Sequence, residues 1–169
     1  IQQAFSHSAS SFMIKKIDGS MVDLLYAPLS AGEVTLAIVF SAVTRSVMIA
    51  AISAFTFYFI IELKIIHWMI LITFTFLSSF ILGATGMIAG LWAEKFDHMA
   101  TVTNFIIVPL SFLSGTFYTI DKLPVFLQII SKLNPFFYMI DGFRYSFIGT
   151  SDSSIFNGII YLSILSILL

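Results

Sequence analysis

The sequence predicts an all-α fold, a polytopic helical membrane protein, and three observations carry that expectation. The chain is 59% hydrophobic and only 10% charged, where an average soluble domain is about 25% charged. Its mean hydropathy is +1.01. Residues 34–61 hold Arg45 as their single charge, while 65–93 and 99–120 hold none. Each run reaches the roughly 20 residues that a bilayer crossing needs. The net charge of −1 comes without any basic run, so no nucleic-acid partner is expected. Absence of cysteine excludes a disulfide framework and a thiolate metal site.

Residues 1–14 are uncharged but rich in Ser, Gln and Ala, and two readings stay open: the last turns of a span, or a polar loop. Lys15, Lys16 and Asp18 end the stretch. Residues 18–27 read as a short amphipathic helix. Asp18 is placed to cap it, Met21, Val22, Leu24 and Leu25 share a face, and Asp23 lies opposite. Pro28 disfavours helical geometry at Ala27 and ends it. Such a helix is too short and too charged to cross; it lies at the interface or simply connects two spans.

Ser30 and Glu33 have the spacing of a capping box, with Leu29 and Val34 placed as a hydrophobic staple. A helix is therefore expected from Ser30 to about Ile61, longer than a crossing requires. Arg45 inside it has two readings. It faces a polar bundle interior, or it snorkels to the near interface, which the spare helix length favours.

Glu62 and Lys64 then mark a tight turn. Trp68 and Trp92 bracket the next apolar run as interfacial anchors. Within it Ser79, Gly83, Gly86, Gly90 and Ala93 recur at three- and four-residue spacing, a face that lets another helix approach closely. Glu94, Lys95 and Asp97 turn the chain, with Asp97 a candidate cap for a span over 98–118. That span carries Thr101, Thr103, Asn104, Ser111, Ser114 and Gly115, and Pro109 is expected to kink it. A polar, kinked span between other membrane elements is a candidate pathway wall, although membrane helices also tolerate proline without any gating role.

Leu123 and Pro124 open a short amphipathic segment with Val125, Phe126, Ile129, Ile130 and Leu133 on one face. Asn134 and Pro135 end it and start a second, in which Asp141 and Arg144 lie three apart. The pair reads as re-entrant or surface-lying, and Asp141–Arg144 as an ordinary exposed helix pair. The last run, 155–169, is shorter than a span. With Ile1 at the start, the chain is expected to be a fragment, with three full spans and partial spans at both ends.

The expected chemistry is not enzymatic. His7, His67 and His98 lie far apart, with no partner at metal-ligand spacing. No phosphate-binding loop and no nucleophile elbow occur in the sequence.

The order of an interfacial helix, DGSMVDLLYAPLSAGE, three spans, and then PLSFLSGTFYTIDKLPVFLQIISKLNPFFYMIDGFRYSFIG closely resembles permease subunits of type-2 export-class ATP-binding-cassette (ABC) transporters. The resemblance covers essentially the whole chain as a single transmembrane permease domain, 1–169. Of the family's six spans, the first, most of the second and the end of the sixth are absent. It implies an ATP-driven exporter in the bacterial cytoplasmic (inner) membrane, built from two permeases, a homodimer in the simplest case, within membrane lipid. A separate ATPase subunit carries ATP and Mg, so no cofactor is expected on this chain.

Asp18, Met21, Asp23, Leu24 and Leu25 would couple to that ATPase from the cytoplasm. Arg45, Asn104, Pro109, Ser114 and Gly115 would belong to the pathway, Gly83, Gly86 and Gly90 to helix packing. Pro124, Asn134, Pro135, Asp141 and Arg144 would form the external helix pair. Orientation rests on the resemblance alone, because Lys and Arg divide four to four between the two sides. Two other classes stay open: a passive channel or secondary carrier, which would show paired intramembrane charges, and an integral membrane enzyme.

Overall fold

The computed structural model describes residues 2–61, 65–115 and 124–169, and these are helical with short connections. In order they form α1 (Gln2–Ile17), α2 (Met21–Tyr26), α3 (Ala31–Ile61), α4 (Trp68–Trp92) and α5 (Phe96–Val102). A π-helical segment (Thr103–Ile107) follows, then α6 (Val108–Phe112), α7 (Val125–Leu133), α8 (Pro135–Ile148) and α9 (Ile155–Leu168). Among the described residues, α3 and α4 are long and apolar enough to cross a membrane. The turn at Glu62 and Lys64 lies outside the described residues, as do the end of the 98–118 span and Leu123.

α4 is the hub. Its Ser78, Ser79, Leu82, Gly83, Gly86 and Gly90 are buried, and α1, α3, α8 and α9 all pack on it. α1 runs parallel to it: Phe5 meets Gly86, Ala9 meets Gly90, and Lys16 reaches its last carbonyls. α3 runs antiparallel, with Ala42 and Val39 against Gly83 and the Ser46 hydroxyl 3.0 Å from that of Ser79. The close approach needs glycine. A Cβ on Gly86 would stand 2.8 Å from the Phe5 Cα, and one on Gly90 would stand 3.0 Å from the Ala9 Cα. Thus 2–17 is a packed helix rather than a loop. Ala4, Ser8 and Ala9 bring α1 close, and Phe5, Phe12 and Met13 bury against α4.

The helix starts divide into one as expected and two that differ. At α3, the Ser30 N–H donates to Glu33 Oε2 at 2.8 Å, and the Glu33 N–H donates to Ser30 Oγ at 3.3 Å, the reciprocal pair of a capping box. Asp18 does not cap α2, because the chain turns at Gly19 (φ 73°) and the helix begins at Met21 with no side-chain cap. Asp97 likewise sits inside the first turn of α5, which starts after an extended Lys95, again without a side-chain cap. There it complements the helix dipole.

Pro109 does not produce a simple bend. Its ring lacks the N–H that would bond the Phe105 carbonyl and crowds that same carbonyl. The turn ahead of it widens into the π-helical segment Thr103–Ile107. The helix then stops at Phe112, earlier than expected, so Ser114 and Gly115 stand in the terminating turn, with Gly115 at φ 79°.

α8 runs along the first half of α4, and α7 joins it at Asn134 to make a helical hairpin. At one end the Ser146 carbonyl accepts from the Ile66 N–H at 2.9 Å, and His67 stacks on Tyr145 with ring centroids 4.9 Å apart. Gly142 lies against the Phe74 ring. The tip at Asn134 and Pro135 is seven residues earlier in α8, about 10 Å further along α4. α8 therefore dips beside α4 rather than lying across its end. Val125, Phe126, Ile129 and Leu133 of α7 are turned outward and exposed.

Candidate functional site

Three places carry the polar groups an apolar bundle has to account for. The first is the outer face of α1. Toward α3, Arg45 Nη1 lies 3.3 Å from His7 Nδ1; toward α6, Gln2 Nε2 donates to Ser111 Oγ at 3.3 Å. α1 thus stands between α3 and the α5–α6 stretch, with Gln3 and Ser6 exposed and His7 and Ser10 half-buried. Arg45 is the fifteenth residue of α3, about 21 Å from its start. Its neighbour Ser46 meets Ser79, near the middle of α4 between Trp68 and Trp92. This corrects the snorkelling expectation: no arginine side chain covers the distance from there to either end.

The second place is where α6 meets the hairpin tip. Asn134 and Ser131 are 4% and 0% exposed. Asn134 Oδ1 accepts from the Phe136 N–H at 3.0 Å and so caps α8, while its Nδ2 donates to the Leu110 carbonyl at 2.7 Å. Ser131 Oγ donates to the Leu113 carbonyl at 2.9 Å. The orphan carbonyls at the end of α6 are thereby satisfied by side chains from the hairpin. Asn104 and Pro109 remain exposed on this stretch. α1 separates them from Arg45, and the structure does not bring the two groups together.

The third is the loop end of α8. Asp141 is only 2% exposed, so the expectation of an ordinary exposed helix pair is overturned. Its Oδ1 accepts from Arg144 Nη2 at 2.6 Å and from the Asp152 N–H at 2.9 Å; its Oδ2 accepts from the Ser153 N–H and hydroxyl, each at 3.1 Å. Arg144 also pairs with Asp152 Oδ2 at 2.7 Å. Burial opposes the guanidinium charge, but Asp152 and Asp141 more than offset that and push its pKa up. The cluster ties α8 to the strap leading into α9. Pro124 sits at the start of α7, as its N-cap residue.

At the opposite end of the bundle, Lys16 Nζ donates to the carbonyls of Gly90 at 3.0 Å and Ala93 at 2.9 Å and also bonds the Leu91 carbonyl. α1 therefore closes the C-terminus of α4 with a cation, favoured by the helix dipole. α2 follows within a few residues, carrying exposed Val22, Asp23 and Tyr26 and a half-buried Met21. The side chains of Leu24 and Leu25 lie outside the described residues. Sequence reasoning missed Lys16, His7 and Gln2. Only the small residues at Ala4, Ser8 and Ala9, at helical spacing, hinted that this stretch was packed.

Among the described residues, no group of His, Asp and Glu side chains is arranged to hold a metal. Between α4, the α5–α6 stretch, the start of α8 and α9 lies an open groove of about 440 Å³, lined by apolar side chains such as Ile88, Trp92, Ile106, Met139 and Leu165.

Residues 1–148 match the family model described as ABC-2 type transporter. The chain belongs to the ABC-2 type transporter family. It is 32% identical over 152 residues to the inner membrane transport permease YadH of Escherichia coli strain K12, covering 90% of this chain and 59% of that protein. It is also 25% identical over 136 residues to nodulation protein J of Rhizobium leguminosarum bv. viciae, covering 75% of this chain and 49% of that protein. No solved structure matches the chain. The chain thus spans between half and three-fifths of the length of these relatives.

As an ABC-2 family member it is a helical, integral membrane protein, and the relative in Escherichia coli is named an inner membrane transport permease. α2 and the 94–97 turn share one end of the bundle; the Asp141–Arg144–Asp152 cluster takes the other.

Proposed function

We propose that this chain is part of the membrane-spanning subunit of an ATP-driven exporter, a multi-pass permease domain that pairs with a second permease copy in lipid. A separate ATP-binding-cassette subunit holds ATP and Mg and docks on α2. The observation that carries the reading is Lys16. It locks the end of α1 onto the end of α4 immediately before α2, so a push on α2 enters the bundle at its hub and not at a loose connector. With α2 on the cytoplasmic side, the α7–α8 hairpin enters from outside.

α1, α3 and the α5–α6 stretch line the path between the two copies, with the exposed Arg45, Asn104 and Pro109 along it, while Ser114 and Gly115 are buried in the turn that ends α6 and support the wall from behind. Closure of the ATPases re-packs these helices between two arrangements. The π-helical segment supports this reading, since such single-turn segments inside helices occur frequently at functional sites.

The test is Leu24→Ser with Leu25→Ser in the whole permease, co-expressed with a tagged ATPase. If these residues anchor α2 in a groove of that subunit, they act as hot spots. The variant should insert and dimerise but release the ATPase on purification or lose stimulated hydrolysis. Retention of both would overturn the assignment of α2 as the coupling helix.

A further inference from the structure

Arg45 is an exposed cation half-way along α3. Among the described residues, the ion pairs are those of Arg144, and the polar partner of Arg45 is His7. A guanidinium nitrogen can only donate, so His7 Nδ1 accepts in this pair, which leaves the ring neutral with its proton on Nε2. The unit therefore carries one net positive charge. Its free donors are the remaining guanidinium N–H groups and the Nε2–H. It sits in a polar strip: Gln3, Ser6 and Ser10 are one turn or less from His7 on α1, and Ser41 is one turn from Arg45 on α3, all at least partly exposed.

That strip ends abruptly along α3. Met48, Ile52, Phe55, Phe59 and Ile60 beyond it are exposed and apolar, as lipid contact requires. Ser10 and Ser41 give their hydroxyl protons to carbonyls of their own helices, but hydrocarbon would leave the remaining guanidinium donors unsatisfied, and an ionisable group at such depth faces water or a counter-ion.

We propose that Arg45 and His7 form an anion-binding site half-way along the translocation path, taking a phosphate or carboxylate group of the transported molecule. The assignment rests on the exporter reading above and names the substrate chemistry of that path. A guanidinium fork beside a second N–H donor suits a multi-oxygen anion, and the charge-assisted bonds are strong where the local dielectric is low. The face is open on this chain, so the anion reaches it from the space between the two permease copies.

The experiment uses the whole permease–ATPase complex in dodecyl maltoside, with dodecyl phosphate as the probe. Wild type should bind it saturably. Arg45→Gln should weaken binding about tenfold or more, the size of one lost charge-assisted hydrogen bond, whereas Arg45→Lys should lose less. No saturable binding by wild type, or equal affinity in Arg45→Gln, overturns the site.

A second measurement keeps Arg45 intact, in case its replacement misfolds. The sequence has no cysteine, so Ser41→Cys in nanodiscs can be challenged with the impermeant reagent 2-sulfonatoethyl methanethiosulfonate. Reaction slowed by dodecyl phosphate supports the proposal. An inert cysteine means that lipid or the second copy covers the face, and reaction that the probe does not slow means that no anion binds there; either overturns it. Protection by phosphatidylglycerol nanodiscs alone, unchanged by the probe, assigns the anion to a lipid headgroup and overturns the assignment to cargo. The exporter reading fails on a different observation, loss of ATPase co-purification from wild type.

Discussion

Asn134 donates to the Leu110 carbonyl at 2.7 Å while accepting from the Phe136 N–H at 3.0 Å, so one buried side chain ends α6 and begins α8. Asn134→Ala removes both bonds and leaves a buried carbonyl and a helix N-terminus unpaired, at a cost of about 1–3 kcal/mol for each group left without a partner. Asn134→Asp keeps the cap acceptor but turns its other oxygen on the Leu110 carbonyl in a buried site, acceptor against acceptor, so it should not rescue the contact. Thermal unfolding in detergent should therefore place both variants below wild type. Equal midpoints for wild type and Ala would show that the contact adds nothing.

The glycines of α4 give a graded series. Gly86→Ala puts a Cβ 2.8 Å from the Phe5 Cα, backbone that cannot swing aside, and should cost about 1–3 kcal/mol as overpacking does. Gly90→Ala, at 3.0 Å from the Ala9 Cα, should cost less. Gly83→Ala finds its nearest neighbours at 3.5 Å and should be tolerated. Gly32→Ala, with nothing within 4 Å, serves as the control. Midpoints of thermal unfolding check the order, and a Gly86→Ala as stable as Gly32→Ala would mean that α1 is not seated on α4 in this way.

Asp141→Ala should be among the most damaging changes at the loop end. It leaves the Asp152 and Ser153 N–H groups without their acceptor and removes one of the two carboxylates that neutralise Arg144. Arg144 is a quarter exposed and keeps its pair with Asp152, so the cost is that of the lost charge-assisted hydrogen bonds and the N–H groups left unpaired, about 1–3 kcal/mol. Removing Asp141 and Arg144 together should cost less than the sum of the singles, as measured by a double-mutant cycle.

What could be read from the chain in advance was whatever depended on near neighbours. Ser30 and Glu33 lie three residues apart, so their reciprocal bonds are written in local spacing. Trp68 and Trp92 bracket α4 because an uncharged run shows its own ends. α1 was illegible for the opposite reason: Ala4, Ser8 and Ala9 acquire meaning only against Gly86 and Gly90, about eighty residues later. Asp141 looked like a surface residue because Asp152 and Ser153, which bury it, lie beyond the end of its helix at Gly149.

Asp18 and Asp97 are candidate caps by residue type, but neither caps, because residue type does not fix where a helix begins. The turn at Gly19 and the extended Lys95 do. At the candidate site the charge of Arg45 was visible, but its depth was not, since depth follows from which residues of α4 lie opposite.

Pro109→Ala supplies the missing N–H and removes the ring from the Phe105 carbonyl, so the π-helical segment should revert toward a regular helix. Insertion and ATPase binding should be unchanged, while transport by the whole complex should change. Normal transport would show that the widened turn is tolerated rather than used.

Orientation can be tested directly, because single cysteines need no background removal within this sequence. Ser20, just ahead of α2, shares an end of the bundle with Lys16 and the close of α4. Ser151 is exposed in the strap between α8 and α9, at the other end. Ser131, although in the same 121–154 stretch, is unsuitable: it is fully buried at the hairpin tip and bonded to the Leu113 carbonyl. In intact cells an impermeant thiol reagent should label Ser151→Cys and not Ser20→Cys. Permeabilised cells should show both. The reverse pattern in intact cells would put α2 outside, away from ATP, and would remove the ATPase from its proposed docking site. Labelling of both in intact cells would mean that the two ends do not face opposite sides, which the antiparallel packing of α3 on α4 makes incompatible with a spanning bundle.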